Sequence, residues 1–190
     1  YQPLEFKEEW RGCNISVEGY RQSEKYFKDY RDEILYIFDV PYKKVDCCSI
    51  HARYGDYLTV KDNTGKFKHV IVDESYLLDA MDYMICKGGV SKFKVFSDDI
   101  ELFKKRHGAM WDFEYSNNVS EWDDLVEMSC HSHQICSSST FSWWGAWLNQ
   151  NPDKIIITQS KWFQDGWKEN GAERDPKNIW REEPSCRPRD

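Results

Sequence analysis

The sequence predicts an α/β domain built on a Rossmann-like, doubly wound, mostly parallel sheet. Three observations carry this expectation. From Val45 onward, short apolar runs alternate with segments of helical period. Hydroxyl or acidic residues open the helical segments, and glycines close two of them. Polar clusters follow several of the strands, where open α/β sheets bind their ligands.

Each element has its own signal. Ser23 is a good N-cap, and Phe27, Tyr30, Ile34, Ile37 and Phe38 follow at helical spacing until Pro41. Val45–His51 reads as the first strand. Asp73 caps a helix whose core face is Leu77, Ala80, Met81 and Met84, and Gly88 and Gly89 stop it. Phe93–Ser97 is a strand. Asp98 with Glu101 forms a capping-box pattern for a helix ending at Gly108. Asp112–Tyr115 is a short strand. Ser120 with Asp123 caps a helix carrying Trp122, Leu125 and Val126. Gln134–Ser137 is a strand. Ser139 or Thr140 caps a helix with Phe141, Trp144, Gly145 and Leu148 on one face. Lys154–Thr158 reads as a last, buried strand. The chain therefore divides into an N-terminal helical segment over 1–42, a ligand-binding α/β domain over 43–165, and a polar, Pro-punctuated C-terminal wrap over 166–190.

Composition narrows the function classes. The 190 residues suffice for one domain with a full core. Apolar residues at 40 % and charged residues at 31 % describe a globular, water-soluble chain. Nine Trp residues suit sugar faces and bases, but a Trp-rich core explains most of them. The net charge of −7, with no dominant Lys/Arg cluster, argues against nucleic acid as a partner. A small anionic ligand needs only one or two local cations. No apolar run approaches the roughly 20 residues of a membrane span, and no signal-peptide pattern is visible. The chain begins at Tyr1 rather than Met, as an excerpt of a longer protein would.

The seven cysteines (Cys13, Cys47, Cys48, Cys86, Cys130, Cys136 and Cys186) are odd in number and show no disulfide framework. They point to a reducing compartment and hence to a cytoplasmic setting. The sequons at Asn14 and Asn118 would matter only in a secretory context such as the Golgi lumen, the alternative if the chain is part of a longer eukaryotic protein. The run Cys130-His131-Ser132-His133-Gln134-Ile135-Cys136 holds metal-capable groups, but its spacing is odd for zinc, and no metal site is expected.

Three polar clusters lie beyond predicted strand ends. The first is His51-Ala52-Arg53-Tyr54-Gly55-Asp56-Tyr57. An Arg fork matches diphosphate oxygens bidentately, and Gly55 allows close backbone approach. Taken alone, a loop salt bridge between Arg53 and Asp56 explains the same residues. The second is Ser97-Asp98-Asp99, where one acid serves as a cap and the other remains to accept hydrogen bonds from a purine or a ribose. The third runs from Ser137 to Gly145, where four hydroxyls lead into a helix N-terminus. Amides, helix dipole and hydroxyls together make an anion site there. Ordinary capping needs just one of the hydroxyls.

Together these clusters resemble glycosyltransferase family 11, the α-1,2-fucosyltransferases. The family's His-x-Arg-Arg-Gly-Asp-Tyr is similar to His51–Tyr57, its Phe-Ser-Asp-Asp to Phe96–Asp99, and its Ser-Ser/Thr-Phe-Ser-Trp-Trp-Gly-Ala-Trp-Leu to Ser139–Leu148. Gly19–Phe27 is also typical of the family. The resemblance covers Gly19 to about Trp167.

It implies the nucleotide-binding half of a GT-B fold. It also implies inverting, metal-independent transfer of fucose from GDP-fucose to a glycan hydroxyl, with no cofactor beyond the donor substrate. By position it places His51 near the guanine, Arg53 on the β-phosphate, Asp98 or Asp99 at the guanosine, and Ser139, Thr140 and Phe141 around the diphosphate. Arg53 would then stabilise the leaving group. Asp56 is a candidate base for the acceptor hydroxyl, or a partner that orients Arg53. The sequence departs from the family pattern where the second Arg is Tyr54, and it lacks the family's opening Gly-x-Gly-Asn-Gln segment. An Arg at position 54 would add charge near the diphosphate, so Tyr54→Arg is expected to favour GDP over GMP, and Lys61 and Lys66 are candidates to supply that charge instead; alternatively the family's second Arg is a packing or salt-bridge residue whose space Tyr54 fills.

Overall fold

The computed structural model describes residues 7–16, 24–61 and 63–164, and the backbone of 168, 169, 172 and 173. The expected N-cap Ser23 lies outside the described residues. So does the expected C-terminal wrap, apart from a two-residue antiparallel pair, Lys168–Glu169 with Ala172–Glu173.

Five strands form one parallel sheet: β1 (Val45–Ala52), β2 (Phe93–Ser97), β3 (Glu114–Tyr115), β4 (His131–Cys136) and β5 (Ile156–Thr158). Their order is β3-β2-β1-β4-β5, so the winding reverses between β1 and β4. This is the doubly wound arrangement read from the sequence. The helices are α1 (Arg31–Ile37), α2 (Glu74–Gly88), α3 (Ile100–His107), α4 (Glu121–Ser129) and α5 (Thr140–Leu148).

Strand alternation sorts the two faces. Cys48, Ile50 and Ala52 of β1, Phe93 and Val95 of β2 and Ile135 of β4 join Leu77, Ala80, Met81 and Met84 of α2 and Phe103 of α3 in the main core. The intervening His51, Gln134 and Cys136 face α4 and α5. Gly145 lets those two helices close in, since a Cβ there would sit 3.0 Å from Met128 Cε.

Capping follows the sequence with one exchange. Asp73 accepts from the Tyr76 amide at 2.8 Å, and Ser120 from the Asp123 amide at 3.1 Å. Gly89 ends α2 in the left-handed region, with φ of 66°. The cap of α3, however, is Asp99, which accepts from the Leu102 amide at 2.9 Å. Asp98, expected as the cap, is thereby released for another role.

Four elements differ from expectation. The N-terminal helix is broken into 3₁₀ turns at Glu24–Tyr26 and Lys28–Tyr30 before the two-turn α1. Phe27 interrupts it because its ring enters a Trp cluster, 6.1, 5.1 and 5.2 Å from Trp143, Trp144 and Trp147. Tyr30 and Ile37, read as core positions, are exposed, while Ile34, Leu35 and Val40 pack onto α5. Helix α5 is thus buried almost all round, with Trp143, Ala146 and Trp147 inside and Trp144 only half-buried.

Strand β4 begins three residues before the expected Gln134, because its polar side chains are individually bonded. His131 Nδ1 meets Glu127 O at 2.8 Å, Ser132 donates to Val45 O at 2.7 Å, and Gln134 donates to Met128 O at 2.9 Å. Strand β5 is half-buried rather than buried, since β4 is its one neighbour in the sheet.

The cap assignment is testable. Asp99→Ala should cost about 1 kcal/mol in urea unfolding, and Asp99→Asn much less. Equal losses for the two variants would show that the side chain does not act as an N-cap.

Candidate functional site

The reversal between β1 and β4 sets the ends of these strands side by side, and the loops leaving them interlock. The Ser137 amide donates to His51 O at 3.1 Å. The His51 ring lies on the α5 face, where Nδ1 meets Ser137 Oγ at 2.8 Å and also Ser142 Oγ, and these hydroxyls lie 3.2 Å apart. Phe141 sits 5.2 Å from the same ring. Burial, and then the charge of Arg53, push the His51 imidazole down to about 3, so it is neutral and bonds as such.

The hydroxyls ahead of α5 have definite partners. Ser137 serves His51, Ser138 donates to Val70 O at 3.1 Å, and Ser139 caps the helix by accepting from the Phe141 amide at 3.3 Å. Thr140 is exposed at the first turn. The amides of that turn have no carbonyl partner within the helix, and that of Phe141 is taken by Ser139.

On the β1 side, Arg53 is half-buried between two carboxylates. Its Nε and Nη2 donate to Asp56 Oδ1 at 3.1 and 3.0 Å, and Nε lies 3.3 Å from Asp98 Oδ2. Burial pulls the guanidinium down, but the hydrogen bond it donates to Asp56 and the charge of Asp98 outweigh it and raise its pKa. Asp98 also accepts from the Tyr54 amide at 2.9 Å. Gly55 makes this possible, because a Cβ there would stand 2.5 Å from Asp98 Oδ2.

The expected salt bridge between Arg53 and Asp56 therefore exists, and Asp98 joins it. Asp99 does not, since it is engaged as the cap of α3. Tyr57 links the two halves: its hydroxyl donates to Ser138 O at 2.7 Å, and its charge environment includes Asp56 and Arg53.

Tyr54 corrects the expectation attached to it. Its side chain is fully buried in the core under α2 and α3, on the face away from His51. Side chains continue the strand's alternation here, so Arg53 and Tyr54 point to opposite faces of the sheet. Its hydroxyl has no hydrogen-bond partner among the described residues. Lys61, a candidate for the missing charge, lies over the Phe67 ring at 4.5 Å.

Two residues that hold the site were not singled out in the sequence. Gln159 accepts from the Ser138 amide at 2.9 Å and donates to Ile71 O at 3.0 Å. Its place just after β5, at a C-terminal strand end, was the available signal. His69 stacks on Tyr57 at 3.9 Å, and no sequence pattern marks it.

The Cys130–Cys136 run lies in and beside β4, and among the described residues no group of three His, Cys, Asp or Glu is placed to hold a metal ion.

The family model for glycosyl transferase family 11 matches residues 13–182. The chain belongs to glycosyl transferase family 11. Among its relatives is the O-antigen biosynthesis glycosyltransferase WbnK of Escherichia coli, 32 % identical over 185 residues, covering 83 % of this chain and 60 % of that protein. An alpha-1,2-colitosyltransferase of Escherichia coli is 30 % identical over 168 residues, covering 80 % and 57 %. Human galactoside alpha-(1,2)-fucosyltransferase 1 is 30 % identical over 103 residues, covering 52 % and 28 %. This member of glycosyl transferase family 11 thus spans at most about three fifths of these relatives' lengths. No solved structure matches it significantly.

Two outcomes follow from the burial pattern. Burial lowers the pKa of all five histidines, His51 to about 3 and His69 to about 4. The unfolded chain binds these protons near 6.5 and the folded chain does not, so stability is full above pH 6.5 and is lost as pH falls towards the folded values. Between pH 7 and 5, His51 alone should remove about 2 kcal/mol. A melting temperature that stays flat over this range would show that the rings are not held neutral.

The second outcome concerns Tyr54. Tyr54→Phe should leave stability unchanged or raise it, because the hydroxyl gains no bond in the core. Tyr54→Arg, which buries an unpaired charge, should cost several kcal/mol by thermal or urea unfolding. A well-folded Tyr54→Arg protein with tighter GDP binding would restore the opposite view of this position.

Proposed function

We propose that this domain binds a guanosine diphosphate-sugar and serves inverting transfer of fucose from GDP-fucose to a glycan hydroxyl without a divalent metal. The observation that carries the reading is the joining of the β1 and β4 ends, with Ser137 bonded to His51 O and Tyr57 to Ser138 O, which sets the Arg53 loop beside the segment leading into α5. Membership of glycosyl transferase family 11 supports the same class of chemistry. Because the chain spans about three fifths of its bacterial relatives, transfer is a property proposed for the whole protein.

The chemistry follows from the charges. The acceptor hydroxyl oxygen attacks the anomeric carbon while the bond to the β-phosphate oxygen breaks, and the diphosphate leaves with the electron pair. Negative charge grows on that leaving group. Arg53 and the amide at Thr140, in the first turn of α5, stabilise it where a metal ion otherwise would. Asp56, the more exposed of the two carboxylates on Arg53, is our candidate for the group that takes the acceptor's proton. We place the guanine near His51 and Phe141 and the diphosphate at Arg53, Ser139 and Thr140. Asp98 is engaged on the 53–54 turn, and Asp99, which keeps a second carboxylate oxygen beside its cap bond, is our candidate at the guanosine. The thiols described as free support a reducing, cytoplasmic setting.

A second reading changes just the sugar. One relative is an alpha-1,2-colitosyltransferase by name, which favours another sugar nucleotide on the same scaffold.

Melting scans with GDP, UDP and ADP, each with and without EDTA, test the donor class. GDP at 100 times its dissociation constant should add about 2.7 kcal/mol, in EDTA as well. Equal stabilisation by UDP, or a strict need for magnesium or manganese, would remove the basis for the reading. Arg53→Lys should weaken GDP tenfold or more, since the forked pair of charge-assisted bonds, about 1.5–3 kcal/mol each, becomes one point contact. Titration calorimetry reads this directly, and a Lys variant that binds like the parent would exclude the bidentate geometry.

A further inference from the structure

We infer that the two carboxylates bracketing Arg53 have opposite roles: Asp98 is a positioning residue that fixes the guanidinium, and Asp56 is a placeholder that an arriving diphosphate displaces. The inference rests on the diphosphate reading above and assigns the regulation of that same site.

Both carboxylates use the same edge of the guanidinium. Asp56 Oδ1 accepts from Nε and Nη2 at 3.1 and 3.0 Å, and Asp98 Oδ2 lies 3.3 Å from Nε. That two-nitrogen edge is also the one that matches a phosphate oxygen. A diphosphate that takes the Nε–Nη2 edge therefore competes with Asp56 for the same donors.

Their surroundings decide which yields. The Asp98 side chain is 22 % exposed, and its second oxygen accepts from the Tyr54 amide at 2.9 Å. Moving it breaks a backbone hydrogen bond. The Asp56 side chain is 52 % exposed, and among the described residues Arg53 alone donates to its carboxylate. It can turn off Arg53 at little cost, as exposed ion pairs do, and only the carboxylate so released is free to take the acceptor's proton. An anion at Arg53 also repels Asp56 outward. Asp98 then keeps Nε aimed while the diphosphate takes the place Asp56 has left.

The opposite roles predict opposite signs, which a purely structural contribution does not. Calorimetry with GDP and GMP on the 190-residue chain compares wild type, Asp56→Asn, Asp98→Asn, Arg53→Ala and the Asp98→Asn/Arg53→Ala double variant. Asp56→Asn should bind GDP roughly two- to fivefold more tightly, the range set by releasing one exposed ion pair. Asp98→Asn keeps an oxygen for the Tyr54 amide and should melt with wild type, yet bind GDP about tenfold more weakly, as expected for one lost charge-assisted contact. GMP should respond little to either change. In the Arg53→Ala background the effect of Asp98→Asn should vanish.

Unchanged or weaker GDP binding by Asp56→Asn overturns the placeholder. An equal loss of GDP and GMP in Asp98→Asn, persisting without Arg53, overturns the positioning role and makes Asp98 a nucleoside contact. Should Asp98→Asn fail to fold, the sign of Asp56→Asn decides alone. Wild type that ignores GDP, or Arg53→Ala that binds it normally, sinks the functional reading instead. Inorganic pyrophosphate, followed by the Arg53 Nε resonance, then judges the inference separately: a shift that Asp56→Asn enhances supports it, and no shift overturns it.

Discussion

The parallel pairing of β1 with β4 is the constraint on which the rest of the structure depends. Chain order alone would place β4 beyond β3, but it returns to the other side of β1 and reverses the winding there. The reversal sends helices to opposite faces and leaves a crevice at the strand ends. Register matters as much as order. Ser49 faces Gln134 and Ile50 faces Ile135, which sets the end of β1 against the hydroxyl run before α5. A slip of one residue would turn His51 towards α2 and present Ile50 to Ser137 and Ser142.

That pairing carries an unusual load of polarity. Strand β4 is buried throughout although it reads His-Ser-His-Gln-Ile-Cys. Each polar group costs free energy unless bonded, and in the dry interior each bond made is correspondingly strong. His133 Nδ1 accepts from the Ile155 amide at 3.0 Å, and Asn149 and Asn151 donate to the carbonyls of His131 and Ser132 at 2.7 and 2.9 Å. These bonds tie β4 to both segments that follow α5. Arg31 adds a further tie, donating to Trp147 O at 2.8 Å at the C-terminal end of α5. The helix whose first turn faces the crevice is therefore held along its length, and its N-terminus is fixed before any ligand arrives.

Legibility in the sequence tracked how local the physics is. Caps and stops were readable because one side chain and a few amides decide them: Asp73, Ser120, Ser139 and Gly89 all act where expected. Strand positions were readable where the residues are apolar, as in β1 and β2. The start of β4 was not, because the bonds that make His131 and Ser132 acceptable in a core come from Glu127 and Val45, outside the strand itself. The break at Phe27 was hidden for the same reason, its cause being three tryptophans over a hundred residues away. In the site, the residue types and their clusters were legible but their division of labour was not. Nothing local distinguishes Asp98 from Asp99, and the choice between cap and clamp is made by where β1 ends beside β2. Likewise the direction of Tyr54 depends on which face of the sheet is the core.

The charge balance around Arg53 fits a site tuned to charge that develops rather than charge already present. The chain is acidic overall, at −7, and the guanidinium lies under two carboxylates. With position 54 turned into the core, no second Arg reinforces it there. The remaining help comes from the amides of α5, whose partial charges need no counterion and do not reorganise. Such a site attracts a resting nucleotide modestly, because part of the field of Arg53 is cancelled by its neighbours. In the proposed transfer the leaving diphosphate gains charge as the bond to the sugar stretches. A carboxylate displaced when the diphosphate binds leaves the cation free to meet that growing charge, whereas one locked in place would cancel it throughout. Stabilisation that grows along the reaction is the kind that lowers a barrier. In the proposed transfer, one anchored and one loose carboxylate on the same guanidinium would supply it.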